Sequence, residues 1–179
     1  DQTKFIDIGP VNKFANMLAV WHAEGPKSNK FAQHKARVLD YLWLAEDGMK
    51  TQGYNGSQLW DTAFALQAFT ESGLSTYFAP TMERGYNYLE ISQVLEDVKD
   101  REKFFRHISK GGWPFSTRDH GWPISDCTAE GLKAAIHIHE TVVTEPSAQL
   151  IDQQRMNDAV NVLLSFQNTD GGWATYENT

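Results

Sequence analysis

The chain has 179 residues, 41% hydrophobic and 22% charged, an ordinary globular composition of about one domain that excludes disorder and collagen-like structure. Its 16 Lys and Arg against 23 Asp and Glu give a formal charge of −7; no basic run interrupts that balance, so nucleic acid is not an expected partner. The single Cys127 has no internal disulfide partner, which fits a reducing compartment. No run approaches the ~18 apolar residues of a spanning helix, and Asp1-Gln2-Thr3-Lys4 does not read as a signal peptide. With no initiating Met, and ending on Tyr176-Glu177-Asn178-Thr179, the chain is expected to be a piece of something longer.

In chain order, Phe14, Met17, Leu18 and Trp21 recur at helical spacing and mark a first helix, which Gly25-Pro26 terminates. Further helices are expected at roughly 31–43, 58–72, 80–95, 100–109 and 127–140. The last runs from Asp152 to Phe166, where Met156, Ala159, Val160, Leu163 and Leu164 form one apolar face. No clean alternation predicts a strand, so the expected class is all-α.

Aromatic residues make up 12% of the chain and include six Trp. Trp113, Trp122 and Trp173 lie in segments rich in Gly, Pro and Asp that read as turns, where each Trp is expected to plug its loop onto the body. Internal similarity is clearer than any single helix. Thr62-Ala63-x-x-Leu66-x-Ala68 recurs as Thr128-Ala129-x-x-Leu132-x-Ala134, each after an Asp, Asp61 or Asp126. The turn Gly111-Gly112-Trp113 recurs as Gly171-Gly172-Trp173. Recurrent helix pairs bury one another's apolar stripes; closed on itself such a stack is an α/α barrel, and left open it is a solenoid. Periodicity leaves both open.

Asp126 admits two readings. It is either an N-cap that accepts the free amides of a helix's first turn, as Asp61 would in the other repeat, or an acid facing an apolar cavity among Trp122, Phe115 and Cys127, where desolvation disfavours its charged form. The His residues give no metal-site pattern: His137 and His139 are two apart on a helix, His34 and His107 are isolated, and Cys127 lacks a Cys-x-x-Cys partner. No metal and no cofactor are expected. Gly53-Tyr54-Asn55-Gly56-Ser57 lacks the Lys of a phosphate-binding loop, and no nucleophile elbow or kinase motif is present.

Asp126-Cys127-Thr128-Ala129-Glu130, with Trp113-Pro114-Phe115-Ser116-Thr117 before it and Gly131-Leu132-Lys133-Ala134 after it, resembles the Asp-Cys-Thr-Ala-Glu motif of the oxidosqualene cyclases. Gln167 to Trp173 resembles the Gln-Trp motif of the same superfamily, and Met49 to Phe64 a further block of the family. The resemblance covers all 179 residues in one order, although family members are several times longer, so the chain is expected to be a central portion of one. It implies an α/α-barrel protein of two domains with the cavity between them, on the membrane of the endoplasmic reticulum or a lipid droplet. The membrane-dipping segment would lie outside this chain.

By the same resemblance Asp126 is the acid that protonates the epoxide of 2,3-oxidosqualene. Such a step needs a carboxyl still carrying its proton near neutral pH, unlike an ordinary one with a pKa of ~3.9. Cys127 is the family Cys that hydrogen-bonds this acid. Trp60, Phe115 and Tyr176 fall at cavity-lining positions, where π faces stabilise a travelling cation without a lone pair to trap it. Trp113 and Trp173 fall at structural turns and carry no assigned chemistry. Tyr54, His120 and Ile124 resemble the cycloartenol-forming branch of the family, with Ile124 holding the cation in place and Tyr54 and His120 forming a polar relay. The lanosterol-forming branch is the alternative. A different class, a non-catalytic helical-repeat scaffold or a prenyltransferase-like barrel binding apolar chains, also stays open, although the prenyltransferase form would need zinc ligands.

Overall fold

The computed structural model describes residues 4–53, 56–141 and 151–177, with His120 and Thr141 described in their backbone only. The chain divides into two compact units, Asp1–Gly56 and Ser57–Thr179.

The first unit holds α1 (Pro10–Glu24) and α2 (Asn29–Ala36), then a short 3-10 turn, Val38–Tyr41, and the antiparallel hairpin of β1 (Leu42–Ala45) and β2 (Gly48–Thr51). Pro10 opens α1, where its missing N–H costs nothing. Gly25 closes it in the left-handed region at φ 84°, its N–H bonded to the Trp21 carbonyl. The periodicity that predicts α1 is present, but its apolar stripe is not the face the unit buries: Phe14, Leu18 and Trp21 are exposed and Lys13 is buried. A polar cluster decides that orientation. The Lys13 ammonium donates to the Phe5 carbonyl at 2.7 Å, sits 2.8 Å from His34 Nδ1 and pairs with Asp7 at 3.6 Å. Buried Tyr41 closes the cluster by donating to the Asp7 carbonyl and accepting from its N–H.

The helix expected over 31–43 ends at Ala36, and the 3-10 turn Val38–Tyr41 and the start of β1 replace its second half. Trp43 pairs with Lys50 across the ladder, the ammonium 5.7 Å from the indole centre. Three of the four residues of β2 are exposed, so no alternating pattern announced the strands. The expectation of no strands is corrected here by one small hairpin beside helices.

The second unit is helical: α3 (Gln58–Glu71), α4 (Ala79–Ser92), α5 (Ser125–Thr141) and α6 (Gln153–Ser165). α3 packs on α4 and on α5, and α6 packs on α5. This is the stacked-helix arrangement expected from the repeats, and the chain's fold class is all-α, of the α/α-barrel type. Among the described residues no helix is long and apolar enough to cross a membrane. Leu59, Ala63, Leu66, Met82, Tyr86, Leu89, Ala135, Ile138, Met156 and Ala159 form the core. The repeated Leu66 and Leu132 both lie in it. A helix over 100–109 does not form: a single 3-10 turn, Arg101–Phe104, is closed on both sides by left-handed residues, Asp100 and Phe105, each at φ 54°.

Trp113 is the largest fully buried side chain, its indole N–H donating to the Leu89 carbonyl at 2.9 Å. The loop-plug reading holds for it. The ring lies against Gly131, where an added Cβ would meet it at 3.0 Å, tighter than an ordinary contact, so the missing side chain lets α5 pass close to the indole. Buried Gln93 links the same region to α6, donating to the carbonyls of Gly111 and Arg155 and accepting from the Arg155 side chain.

Candidate active site

The first turn of α5 is held from several sides. The Trp113 N–H donates to Thr128 Oγ1 at 2.9 Å, and the Thr128 hydroxyl returns a bond to the Trp113 carbonyl. That carbonyl also accepts the Ile124 N–H, and the Ser125 N–H donates to the Thr175 carbonyl at 3.1 Å. Two of the amides that open a helix without intrahelical partners are thereby satisfied by loops.

Asp126 is the second residue of α5 and not its N-cap. In the other repeat Asp61 is the fourth residue of α3 and accepts from the Ser57 hydroxyl at 2.6 Å. The capping reading is corrected for both: each helix starts before its Asp. Asp126 still takes up one first-turn amide, accepting the Cys127 N–H at 2.7 Å. Its side chain is exposed and lines a concavity of about 400 Å³ with Ser125, Ala129, Leu163 and Trp173. Of these residues only Asp126 is a carboxylic acid, and the rest of the wall is almost wholly apolar.

Cys127 is fully buried directly beneath this acid. Burial pushes its thiol far up from the ordinary range, and the charge of the Asp126 carboxylate and a hydrogen bond with it push in the same direction. A thiol so placed stays protonated and is a donor to the acid, not a nucleophile. In the native full-length protein, alkylation by iodoacetamide at pH 8 is expected to leave the Cys127 peptide unmodified while the denatured protein reacts fully there. Peptide mass spectrometry checks it, and native labelling at the rate of a free cysteine would contradict the burial.

Trp60 stacks on Phe115 with centroids 6.0 Å apart and planes at 25°, and meets Phe64 edge-on at 4.8 Å. The pair is fixed by backbone and side chain: Trp60 N–H donates to the Phe115 carbonyl, and the Ser116 hydroxyl donates to Gln58. One short segment, 113–116, therefore ties the aromatic pair at the start of α3 to the first turn of α5. Trp122 packs partly buried against the core. Tyr176 is half exposed, two residues after Ala174, whose N–H bonds the Phe166 carbonyl.

Ile124 is buried in the core, immediately before the α5 start. Tyr54 lies outside the described residues, as does the side chain of His120, whose backbone closes the 3-10 turn Arg118–His120. The sequence did not single out Ser125, Ala129 or Leu163, nor assign chemistry to Trp173, yet these four share the concavity with Asp126. The repeat gave no signal for Ala129: its equivalent Ala63 is buried, whereas Ala129 is exposed on the same helical position. The two Gly-Gly-Trp turns are also unequal. Trp173 is 51% exposed where Trp113 is fully buried. Its indole N–H bonds the Leu163 carbonyl at 2.8 Å, and Gln167 and Trp173 pair as an isolated bridge around the turn.

Residues 56–179 match the squalene-hopene cyclase C-terminal domain, and the chain belongs to that family. It is 60% identical over 179 residues to a cycloartenol synthase of Dictyostelium discoideum, covering 100% of this chain and 25% of that protein. It is 50% identical over 178 residues to a lanosterol synthase of Mus musculus and 49% identical over 179 residues to one of Homo sapiens, each covering 98% of this chain and 24% of the relative. The chain thus spans about a quarter of the length of these relatives. The resemblance to the oxidosqualene cyclases is borne out.

Proposed function

We propose that the full-length protein is an oxidosqualene cyclase that converts 2,3-oxidosqualene to cycloartenol, with Asp126 as the acid that starts the reaction. The observation that carries this reading is the placement of Asp126 on a wall otherwise almost wholly apolar, its carboxylate accepting the N–H of Cys127, whose thiol is buried and held protonated. In the first step the Asp126 proton passes to the epoxide oxygen, the bond from that oxygen to the tertiary carbon breaks, and the double bonds of the folded chain close on the cation in turn. The stacked faces of Trp60 and Phe115, with Tyr176, offer cation stabilisation that forms no covalent bond. The sequence ends when a methyl proton passes to the polar relay of His120 and Tyr54 and the electrons of that C–H bond close a cyclopropane ring on the cation, and the position of that final proton loss sets the product.

The 60% identity to a cycloartenol synthase supports the cyclopropane product, and the 50% and 49% identities to lanosterol synthases support the second reading, lanosterol. The protein is expected on the endoplasmic reticulum membrane or a lipid droplet, held on one leaflet by a segment outside this chain. Gas chromatography of the product from 2,3-oxidosqualene should give cycloartenol as the main peak. His120→Gln together with Ile124→Val should move the product toward lanosterol or its isomers. Removing one methylene from buried Ile124 costs only about 1 kcal/mol of packing, yet ~1.4 kcal/mol between two competing proton losses changes their ratio tenfold. Lanosterol as the main peak of the unmutated enzyme would remove the product assignment and leave the cyclase reading intact.

A further inference from the structure

Three stretches that are far apart in sequence converge beside the start of α5, and one side chain joins them. Arg106 donates from Nε to both carboxylate oxygens of Glu177, at 3.0 and 2.8 Å, and from Nη2 to Glu177 Oε1 at 2.8 Å. The same Nη2 donates to the Gly121 carbonyl at 3.0 Å. The two side chains are 19% and 14% exposed, so the pair is largely shielded from water and from screening. A path of bonds closes on itself here: from Arg106 to Gly121, along the chain to Ser125, across to the Thr175 carbonyl, along to Glu177 and back to Arg106. Asp126 is the next residue after Ser125, His120 precedes Gly121, and Tyr176 lies between Thr175 and Glu177.

We infer that Arg106 is a positioning residue of the active site: with Glu177 it clamps the turn that carries His120 and the segment that carries Tyr176 around the first turn of α5, and so fixes where Asp126 and its partners stand. The functional half of this inference rests on the cyclase reading; the mechanical half does not. Arginine suits this place because its planar guanidinium grips the carboxylate through Nε and Nη2 in a fixed fork while Nη2 also reaches the carbonyl, whereas a lysine ammonium retains the charge but is a single point on a flexible stem. Phe105, held at φ 54°, and the Arg106 N–H bonded to the Arg101 carbonyl at 2.8 Å present the guanidinium from a fixed backbone.

The test uses the full-length protein with Arg106→Lys and Glu177→Gln, singly and together, and two readouts. In hydrogen exchange, the amides of the peptide spanning 118–128 should exchange about tenfold faster in each variant, while peptides from α3 and α4 exchange as before. With 2,3-oxidosqualene, kcat should fall about tenfold with KM held within about threefold, the product mixture should broaden, and the double variant should be no slower than the worse single one. Unchanged exchange over 118–128 overturns the clamp, and faster exchange in every peptide reduces the pair to general stability and overturns it equally. Normal kinetics with loosened exchange overturns the positioning role alone. If the unmutated protein leaves 2,3-oxidosqualene untouched, the cyclase reading fails and the positioning role with it, while the exchange result still judges the clamp.

Discussion

Replacing Asp126 by Asn in the full-length protein is expected to abolish consumption of 2,3-oxidosqualene while the protein stays folded. The amide preserves the shape and an acceptor oxygen, so the bond from the Cys127 N–H at 2.7 Å can persist, and the side chain is exposed, with no packing to lose. What disappears is the transferable proton. A positioned general acid contributes about 10²–10⁴-fold, and a loss of that size takes substrate consumption to the background of the assay. Asp126→Glu tests position instead of acidity: it keeps the proton but moves it by one methylene, and a displacement of ~1 Å costs about 10²-fold. Substrate loss measured by gas chromatography, beside circular dichroism of each variant, checks both. An Asn variant that consumes oxidosqualene at a comparable rate places the acid elsewhere.

Trp113→Ala is expected to produce the largest loss of stability of any single tryptophan substitution described. Its ring is fully buried and its N–H is bonded to the Leu89 carbonyl. Truncation opens a cavity beneath α4 and α5 for about 3–5 kcal/mol and strands a buried carbonyl for ~1–3 kcal/mol more. Trp173→Ala is the control. Trp173 is 51% exposed, and its one described bond joins a turn to the helix before it, so its loss should cost about 1 kcal/mol. Urea unfolding of both variants orders them, and a Trp173→Ala cost equal to that of Trp113→Ala would show that the two turns are energetically equivalent after all.

The contrast between those two tryptophans marks where the sequence was informative. Local periodicity placed α3, α4, α5 and α6 to within a few residues, because each buries a stripe at helical spacing against its neighbours. It overran at 31–43 and at 100–109. In the first, Asp47-Gly48 between apolar residues was a hairpin signal that the short, mostly exposed strands did not reinforce. In the second, two left-handed residues, neither of them glycine, stop the chain after one turn, and nothing in their identity announces it. The Asp126–Glu130 motif was legible because its residues are adjacent in sequence. Leu163, Trp173 and the Arg106–Glu177 pair reach the site from 37 to 71 positions away from the residues they serve, as Leu163 against Asp126 and Arg106 against Glu177, and only the folded chain brings them there. Repeat logic even worked against Trp173, since it equated a wall residue with a core plug.

The buried cluster of the first unit has a consequence for acid tolerance. An ammonium only donates, so Lys13 at 2.8 Å obliges His34 Nδ1 to accept, and the ring carries its single hydrogen on Nε2. Burial lowers the His34 pKa below its ordinary value, the Lys13 charge lowers it further, and Asp7 opposes them only in part; Arg37 and Asp40 face the Lys13 end. The unfolded chain therefore takes up a proton at His34 near the usual ~6.5, before the folded one does. Stability from this site is complete above that pH and drains away as the pH falls from it toward the depressed folded value. A second hydrogen on the ring would point Nδ1–H at the ammonium, so proton uptake at His34 works against the contact that seats Lys13. The buried lysine of α1 is thus also the group that ties the stability of this cluster to pH.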